Sequence, residues 1–218
     1  MGPMKLHFDI RDIFRAPRLA LSGKKIWIFI VGNLVGYVSY WILTYVALAL
    51  AGINFTKAWS DFGLYPCLYG IEAQWFAWIV YLAGVVIWFF AISLSCTAVS
   101  RVTYKQLKGD EFFSSGDAFT FVKKHWHPVI FTSITLLLIV VFFLMGAMIF
   151  ALFGKIPYLG EFLFVIPYLF YFFGAIFTIY TAVVFIIALI YTPAIVAAYE
   201  EDTMGAVFQN YSIAWSQP

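Results

Sequence analysis

The sequence predicts an all-α, polytopic helical membrane protein with four transmembrane helices and amphipathic helices on its cytoplasmic surface. Three observations carry that expectation. Of 218 residues, 64% are hydrophobic and 11% charged, whereas a soluble domain carries about 25% charged and roughly 45–50% apolar residues. The apolar residues come in continuous runs of membrane-spanning length, not in short alternating segments, which points to helices and away from a β-barrel. Lysine and arginine are clustered, with six in residues 1–25 and five in residues 101–124, while the two remaining loops hold only Lys57 and Lys155. By the positive-inside rule both termini then face the cytoplasm. For a bacterial chain the membrane would be the inner (plasma) membrane. The net charge of +2 is too small to suggest a nucleic-acid partner.

In residues 1–25, Ile10, Ile13, Phe14, Pro17 and Leu21 recur at helical spacing, with Arg11, Asp12, Arg15 and Arg18 on the other side. This is an amphipathic segment. It either lies on the membrane, with Arg11, Arg15 and Arg18 reaching anionic headgroups or a partner, or packs on the protein's own cytoplasmic side. Pro17 has no N–H to give and is expected to break or kink it. The four-span membrane domain covers residues 26–199. Its first span, residues 26–51, contains Gly32-Asn33-Leu34-Val35-Gly36. Gly32 and Gly36 form a small-xxx-small face that admits a close neighbouring helix, from this chain or a second copy, and Asn33 is expected to hydrogen-bond such a neighbour. Residues 52–72 carry Phe55, Trp59, Phe62, Tyr65 and Tyr69. They are expected to lie along the outer membrane surface, with a short helix around residues 56–62. A ligand-binding lid is the alternative. The second span, residues 73–99, has Trp75 and Trp78 at its outer end and Ser93, Ser95, Cys96, Thr97 and Ser100 at its inner end. Cys67 and Cys96 then lie on opposite sides of the bilayer, so no mutual disulfide is expected.

Residues 100–128 form the only long polar interior segment. Ser114 or Ser115 is expected to cap a helix with Asp117 in its first turn. Ala118, Phe119, Val122 and Trp126 form its apolar stripe, and Lys123, Lys124 and Trp126 are candidate contacts for anionic lipid or a partner. Pro128 is expected to mark the bend into the third span, residues 129–153. A short outer hairpin with Lys155 and Pro157 follows. Residues 162–199 carry no charge and are too many for a bilayer core of about 30 Å at roughly 1.5 Å per residue. One span over about 168–192, interrupted at Pro167 and Pro193, is expected; a half-span plus a span is the alternative. In residues 200–218, Asp202 or Thr203 is placed to cap a helix with Val207, Tyr211 and Ala214 on one side. Residues 12–25, 117–127 and 202–215 thus look alike. The first two lead into spans, so a further span pair beyond Pro218 is one expectation, and a surface helix closing the chain is the other.

The stretch Pro193-Ala194-Ile195-Val196-Ala197-Ala198-Tyr199-Glu200, followed by Gly205-Ala206 and Ser212, with a looser echo at Gly116-Asp117-Ala118, resembles a pattern in bacterial multi-span proteins. The membrane domain associated with some glycerophosphodiester phosphodiesterases is similar over these roughly twenty residues. The resemblance implies architecture alone. The catalytic domain of those enzymes has no counterpart in these residues, so no active-site residue is carried over.

Sites of chemistry are scarce. His125 and His127 are two apart and do not share a helix face, and no Cys, Asp or Glu at ligand spacing completes a zinc site. There is no H-E-x-x-H, P-loop or G-x-S-x-G pattern. No expected span contains Asp, Glu, Lys, Arg or His, the groups that proton relays and ion coupling require. No catalytic residue, metal site or cofactor is therefore expected, and the chain does not read as an enzyme. The expected role is a structural or accessory subunit of a membrane complex, with membrane lipids and other membrane subunits or further copies as partners. The alternative, prompted by the aromatic content and the long last span, is a transporter or lipid-handling protein with an apolar cavity.

Overall fold

In the computed structural model, which describes residues 10–156, 158–165 and 167–216, every regular element is a helix. In chain order these are α1 (Ile10–Ala20), α2 (Gly23–Leu50), α3 (Phe55–Phe62), α4 (Trp75–Leu107), α5 (Ser115–Lys124), α6 (Trp126–Phe153), α7 (Leu159–Val165), α8 (Tyr168–Tyr199) and α9 (Thr203–Ser216). Helices α2, α4, α6 and α8 are long and apolar enough to cross a membrane. The protein is an integral, all-α membrane protein. His7, Pro157 and the side chains of Arg11 and Ile13 lie outside the described residues. The chain divides into two compact units, residues 1–124 and 125–218. Within each, the end of the span pair joined by the short helix (α3 or α7) is called the hairpin end.

In the first unit α2 and α4 run antiparallel in close contact. A Cβ at Gly32 would overlap Ser95, and one at Gly36 would fall 2.6 Å from Ala91 Cβ and 2.8 Å from Trp88 Cδ1. Gly84 approaches α2 in turn, with Leu43 and Tyr40 against it. Small residues on both helices bring the backbones together, which is how spans associate when burial from water offers no drive. Span hydroxyls are satisfied within their own helices: Thr44 donates to Tyr40 O (2.8 Å), Ser95 to Ala91 O (2.6 Å) and Thr97 to Ser93 O (3.0 Å). Asn33 accepts from the Trp88 indole N–H at 2.8 Å, so the one amide side chain of α2 is paired across the helix interface.

The opposite end of this unit carries its basic residues other than Lys57 of α3. Helix α4 continues beyond the expected end at residue 99 to Leu107, burying Arg101 with its guanidinium carbon 4.2 Å from the Phe121 ring centroid. Gly109, at φ 93°, then turns the chain, and Asp110 N–H closes onto Lys105 O at 3.0 Å. A residue in the left-handed region at this position is a common helix stop, and glycine adopts it without a Cβ penalty. Helix α5 opens on a reciprocal cap. Ser114 Oγ accepts from Asp117 N–H (3.1 Å), while the Asp117 carboxylate accepts from Ser114 N–H (3.1 Å) and Oγ (2.6 Å). Ala118 is fully buried among Ile28, Ala98 and Val102, with Val122 beside them. Lys24 Nζ donates to Phe113 O at 2.7 Å, and Lys25 Nζ donates to Leu19 O at 2.6 Å, near the C-terminal end of α1.

In the second unit α6 and α8 form the span pair and α9 folds back on them. Leu136, Val184, Ala188, Val207 and Ala214 form its core. Asp202 caps α9 by accepting from Gly205 N–H at 2.8 Å. Asn210, fully buried, donates to Thr192 Oγ1 (3.0 Å) and Ala206 O (2.8 Å), and Tyr211 OH donates to Thr181 Oγ1 at 2.9 Å.

Four expectations are corrected. Helix α1 does not break at Pro17 but continues to Ala20, and α8 continues through Pro193 to Tyr199. Pro193 sits among buried Thr192, Ile195, Val196 and Ala197, and this packing holds the helix across the one missing backbone bond. Pro128 does not mark the bend. The break is at His125 (φ −116°), and Pro128 lies in the first turn of α6, where its missing N–H has no intrahelical partner to lose. Trp126 consequently begins α6 and does not complete the α5 stripe.

Candidate functional site

The segment after α2 does not simply lie along a surface. Phe55 and Trp59 of α3 pack against Tyr45, at 5.2 and 6.2 Å between ring centroids, and Trp59 also meets Trp41. The chain then reaches further along α2. Tyr45 OH donates to Gly63 O (2.7 Å), Tyr40 OH to Pro66 O (2.6 Å) and Tyr37 OH to Leu64 O. Tyr37 stands about 20 Å along α2 from Leu50, at roughly 1.5 Å per residue. Leu64 to Pro66 therefore fold back along the flank of α2, toward Tyr37 and Tyr40. Non-helical backbone laid beside spans needs polar partners from the protein or a cavity to line, and this segment has both. The three tyrosines satisfy the carbonyls, and a cavity of about 550 Å³ opens between the segment and the spans, lined by Tyr37, Tyr40, Tyr65, Trp88 and residues 64–67. The segment returns to the hairpin end through fully buried Leu68, and Cys67 Sγ lies 3.6 Å from Tyr81 OH on the way. The expected surface loop is thus re-entrant on its own span pair: it folds back along α2, whose tyrosines donate to its carbonyls.

The second unit holds a different cavity, about 750 Å³ and almost wholly apolar, along the hairpin half of α6 and α8. Two aromatic pairs bridge these helices, Phe143–Phe177 at 5.2 Å and Phe150–Tyr171 at 5.4 Å. Between the bridges the small residues Gly146, Ala147, Gly174 and Ala175 leave the helices apart. A Cβ built at Gly146 or Gly174 meets no atom within 4 Å. These glycines therefore do the reverse of Gly32 and Gly36: they hold space open and bring no backbones together. Two lining residues carry a hydroxyl, Tyr171 and Thr178, and Thr178 donates to Gly174 O at 2.7 Å; the rest of the lining is apolar and asks for an apolar occupant.

Of the residues singled out in the sequence, Gly32, Asn33 and Gly36 all lie on the α2–α4 interface. Arg15 is half-exposed, 3.8 Å from Asp12, and Arg18 is exposed. Lys123 and Lys124 are exposed in the last turn of α5, and Trp126 is exposed at the start of α6. None of these lines either large cavity. Sequence reasoning passed over Tyr37, Tyr40 and Trp88, and also Gly146 and Gly174. The available signal was mid-span tyrosines, whose hydroxyls need a partner away from water, and mid-span glycines outside any small-xxx-small pair with another glycine. The basic end of the first unit holds Asp117, whose carboxyl lies below the usual range because the Ser114 hydroxyl and N–H both donate to it. Among the described residues no group of three or more His, Cys, Asp or Glu is placed to hold a metal ion. No protein-family model, curated protein or solved structure matches this chain.

Proposed function

We propose that this is a lipid-handling membrane protein that takes the acyl chain of a membrane lipid into the cavity between α6 and α8. The observation that carries the reading is the pair of glycines facing empty space between two aromatic bridges. Spans that gain nothing from this gap would close it, since voids forfeit dispersion contacts. A volume of about 750 Å³ lies within the usual range for small-molecule sites, roughly 300–1,000 Å³. The occupant has to come from the bilayer, because the wall is apolar and sits in the part of the helices that hydrocarbon surrounds. The protein performs no bond-making of its own in this reading. The spans between the basic ends carry no Asp, Glu, Lys, Arg or His, so the cavity supports binding and transfer. The likeness to multi-span membrane domains of the phosphodiesterase-associated type supports the architecture and adds nothing about the ligand.

The clustering of lysine and arginine supports an orientation with both termini cytoplasmic, in the inner membrane of a bacterial cell. Both cavities would then open toward the outer leaflet. Single cysteines at Lys57 and Lys123 test this. A membrane-impermeant maleimide added to intact cells should label the first and spare the second; the reverse pattern rejects the orientation.

The test of lipid handling is native mass spectrometry of the protein extracted from its membrane. Wild type should retain phospholipid through delipidating detergent washes, and a Gly146→Leu, Gly174→Leu variant should lose it. Equal retention by both rejects the cavity as the site. An accessory role in a membrane complex is the second reading. It is favoured by the exposed apolar side chains of Ile10 and Phe14 on α1, at 66% and 79% exposure, and co-purification of a stoichiometric membrane subunit through those residues would replace lipid handling as the primary role.

A further inference from the structure

The cavity beneath the re-entrant segment has a chemistry that the α6–α8 cavity lacks. Its walls are the rings of Tyr37, Tyr40, Tyr65 and Trp88, set around the carbonyl-bearing turn at residues 64–67. Tyr40 and Trp88 lie 5.2 Å apart and Tyr37 and Trp88 lie 5.6 Å apart, the latter edge to face. The hydrogen-bond donors around it are largely spent. Trp88 N–H goes to Asn33, Tyr37 OH to Leu64 O, Tyr40 OH to Pro66 O, and the Tyr65 backbone N–H to Phe62 O at 3.0 Å. Pro66 has no N–H to offer. Apart from the hydroxyl of exposed Tyr65, what remains facing the space is electron-rich: aromatic faces, phenolic oxygens and carbonyl oxygens with a second lone pair. No lysine, arginine or histidine lines it.

From these features we infer that the aromatic cavity of the first unit binds an alkylammonium group, free in solution or on a lipid headgroup. Ring quadrupoles attract a cation within about 6 Å of a ring centroid, most strongly for tryptophan. An anion would meet ring faces and lone pairs of its own sign. A bare metal ion or a primary ammonium with a full water shell would pay heavily for leaving water. A quaternary ammonium is already surrounded by methyl groups and fits an apolar, electron-rich wall. The inference is independent of the lipid-handling reading, which concerns the other unit.

The test uses choline and its uncharged isostere 3,3-dimethylbutan-1-ol, with the intact protein in maltoside micelles and calorimetric detection. Choline should bind saturably, and at least tenfold more tightly than the isostere, in keeping with a cation–π contribution. Tyr65 is 80% exposed, so replacing it does not threaten the fold. Tyr65→Leu should weaken choline binding several-fold, and Tyr65→Phe, which keeps the ring, should not. Trp88→Phe should weaken it less than Trp88→Leu. Lipid discs separate the two sources. Weaker binding of free choline in phosphatidylcholine discs than in phosphatidylglycerol discs identifies the headgroup as the ligand, and equal binding identifies a free solute. Equal affinity for choline and the isostere overturns the inference, as does absence of saturable binding or an unchanged affinity in Tyr65→Leu.

Discussion

Four glycines in the spans have opposite jobs, and single substitutions separate them. At Gly36 an added methyl meets Ala91 and Trp88 at 2.6–2.8 Å, so Gly36→Ala should lower stability by about 1–3 kcal/mol through overpacking. At Gly146 and Gly174 the same methyl meets nothing, and alanine should stabilise the helix by up to about 1 kcal/mol. Thermal unfolding in one detergent compares the three; destabilisation at Gly146 equal to that at Gly36 would contradict the contrast. The Asn33–Trp88 bond admits a double-mutant cycle with Asn33→Leu and Trp88→Phe, where a coupling of about 0.6–1.7 kcal/mol is expected for a hydrogen bond between spans. Asp117 supplies a pH dependence. Its folded carboxyl is held below the ordinary value by the Ser114 hydrogen bonds. Its contribution to the α5 cap is therefore complete above the ordinary carboxylate pKa and lost as pH falls through the depressed one. Hydrogen exchange of the first α5 turn should rise over that acidic window in wild type, and should already be raised at neutral pH in Asp117→Ala.

At the scale of elements, the re-entrant segment is the least expected feature. Periodicity and the positive-inside rule locate spans well, because a run of apolar residues is a local property. Spans α2, α4, α6 and α8 were legible for that reason, and so were the short helix at Phe55–Phe62 and the Ser114 and Asp202 caps. The descent of Leu64 to Pro66 depends instead on three tyrosines some twenty residues earlier, at 37, 40 and 45. Aromatic composition alone reads the same for a loop lying flat at the interface and a loop folded back along its own spans. The prolines misled for a related reason: the cost of a lost backbone bond is local, but the packing around Pro193 that outweighs it is not. The tyrosine ties can be cut. In a Cys96→Ala background, a Tyr37→Phe, Tyr40→Phe variant should expose Cys67 to a water-soluble maleimide several-fold faster than the parent. An unchanged rate would mean that the segment is held by something else.

For the whole molecule, two units each pair two spans and lay a shorter helix against the end opposite the hairpin, α5 through Ala118 and α9 through Ala206, Val207 and Ala214. The likeness of these two terminal helices was visible in the sequence. The difference between the cavities was not, because it rests on which glycines find a partner across the helix pair. The first unit is closed by small residues in register along α2 and α4 and opens beneath its re-entrant segment. The second is held open by glycines out of contact. The central claim is that the second opening holds an acyl chain, and photocrosslinking in a bilayer addresses it most directly. Protein in vesicles of phosphatidylglycerol with a small fraction carrying a diazirine on the acyl chain would be irradiated, digested and mapped. The account predicts saturable labelling concentrated in residues 142–150 and 170–179, suppressed by excess unlabelled lipid and abolished by Gly146→Leu with Gly174→Leu. Labelling spread evenly over the exposed faces of all four spans, and unaffected by those substitutions, would contradict it.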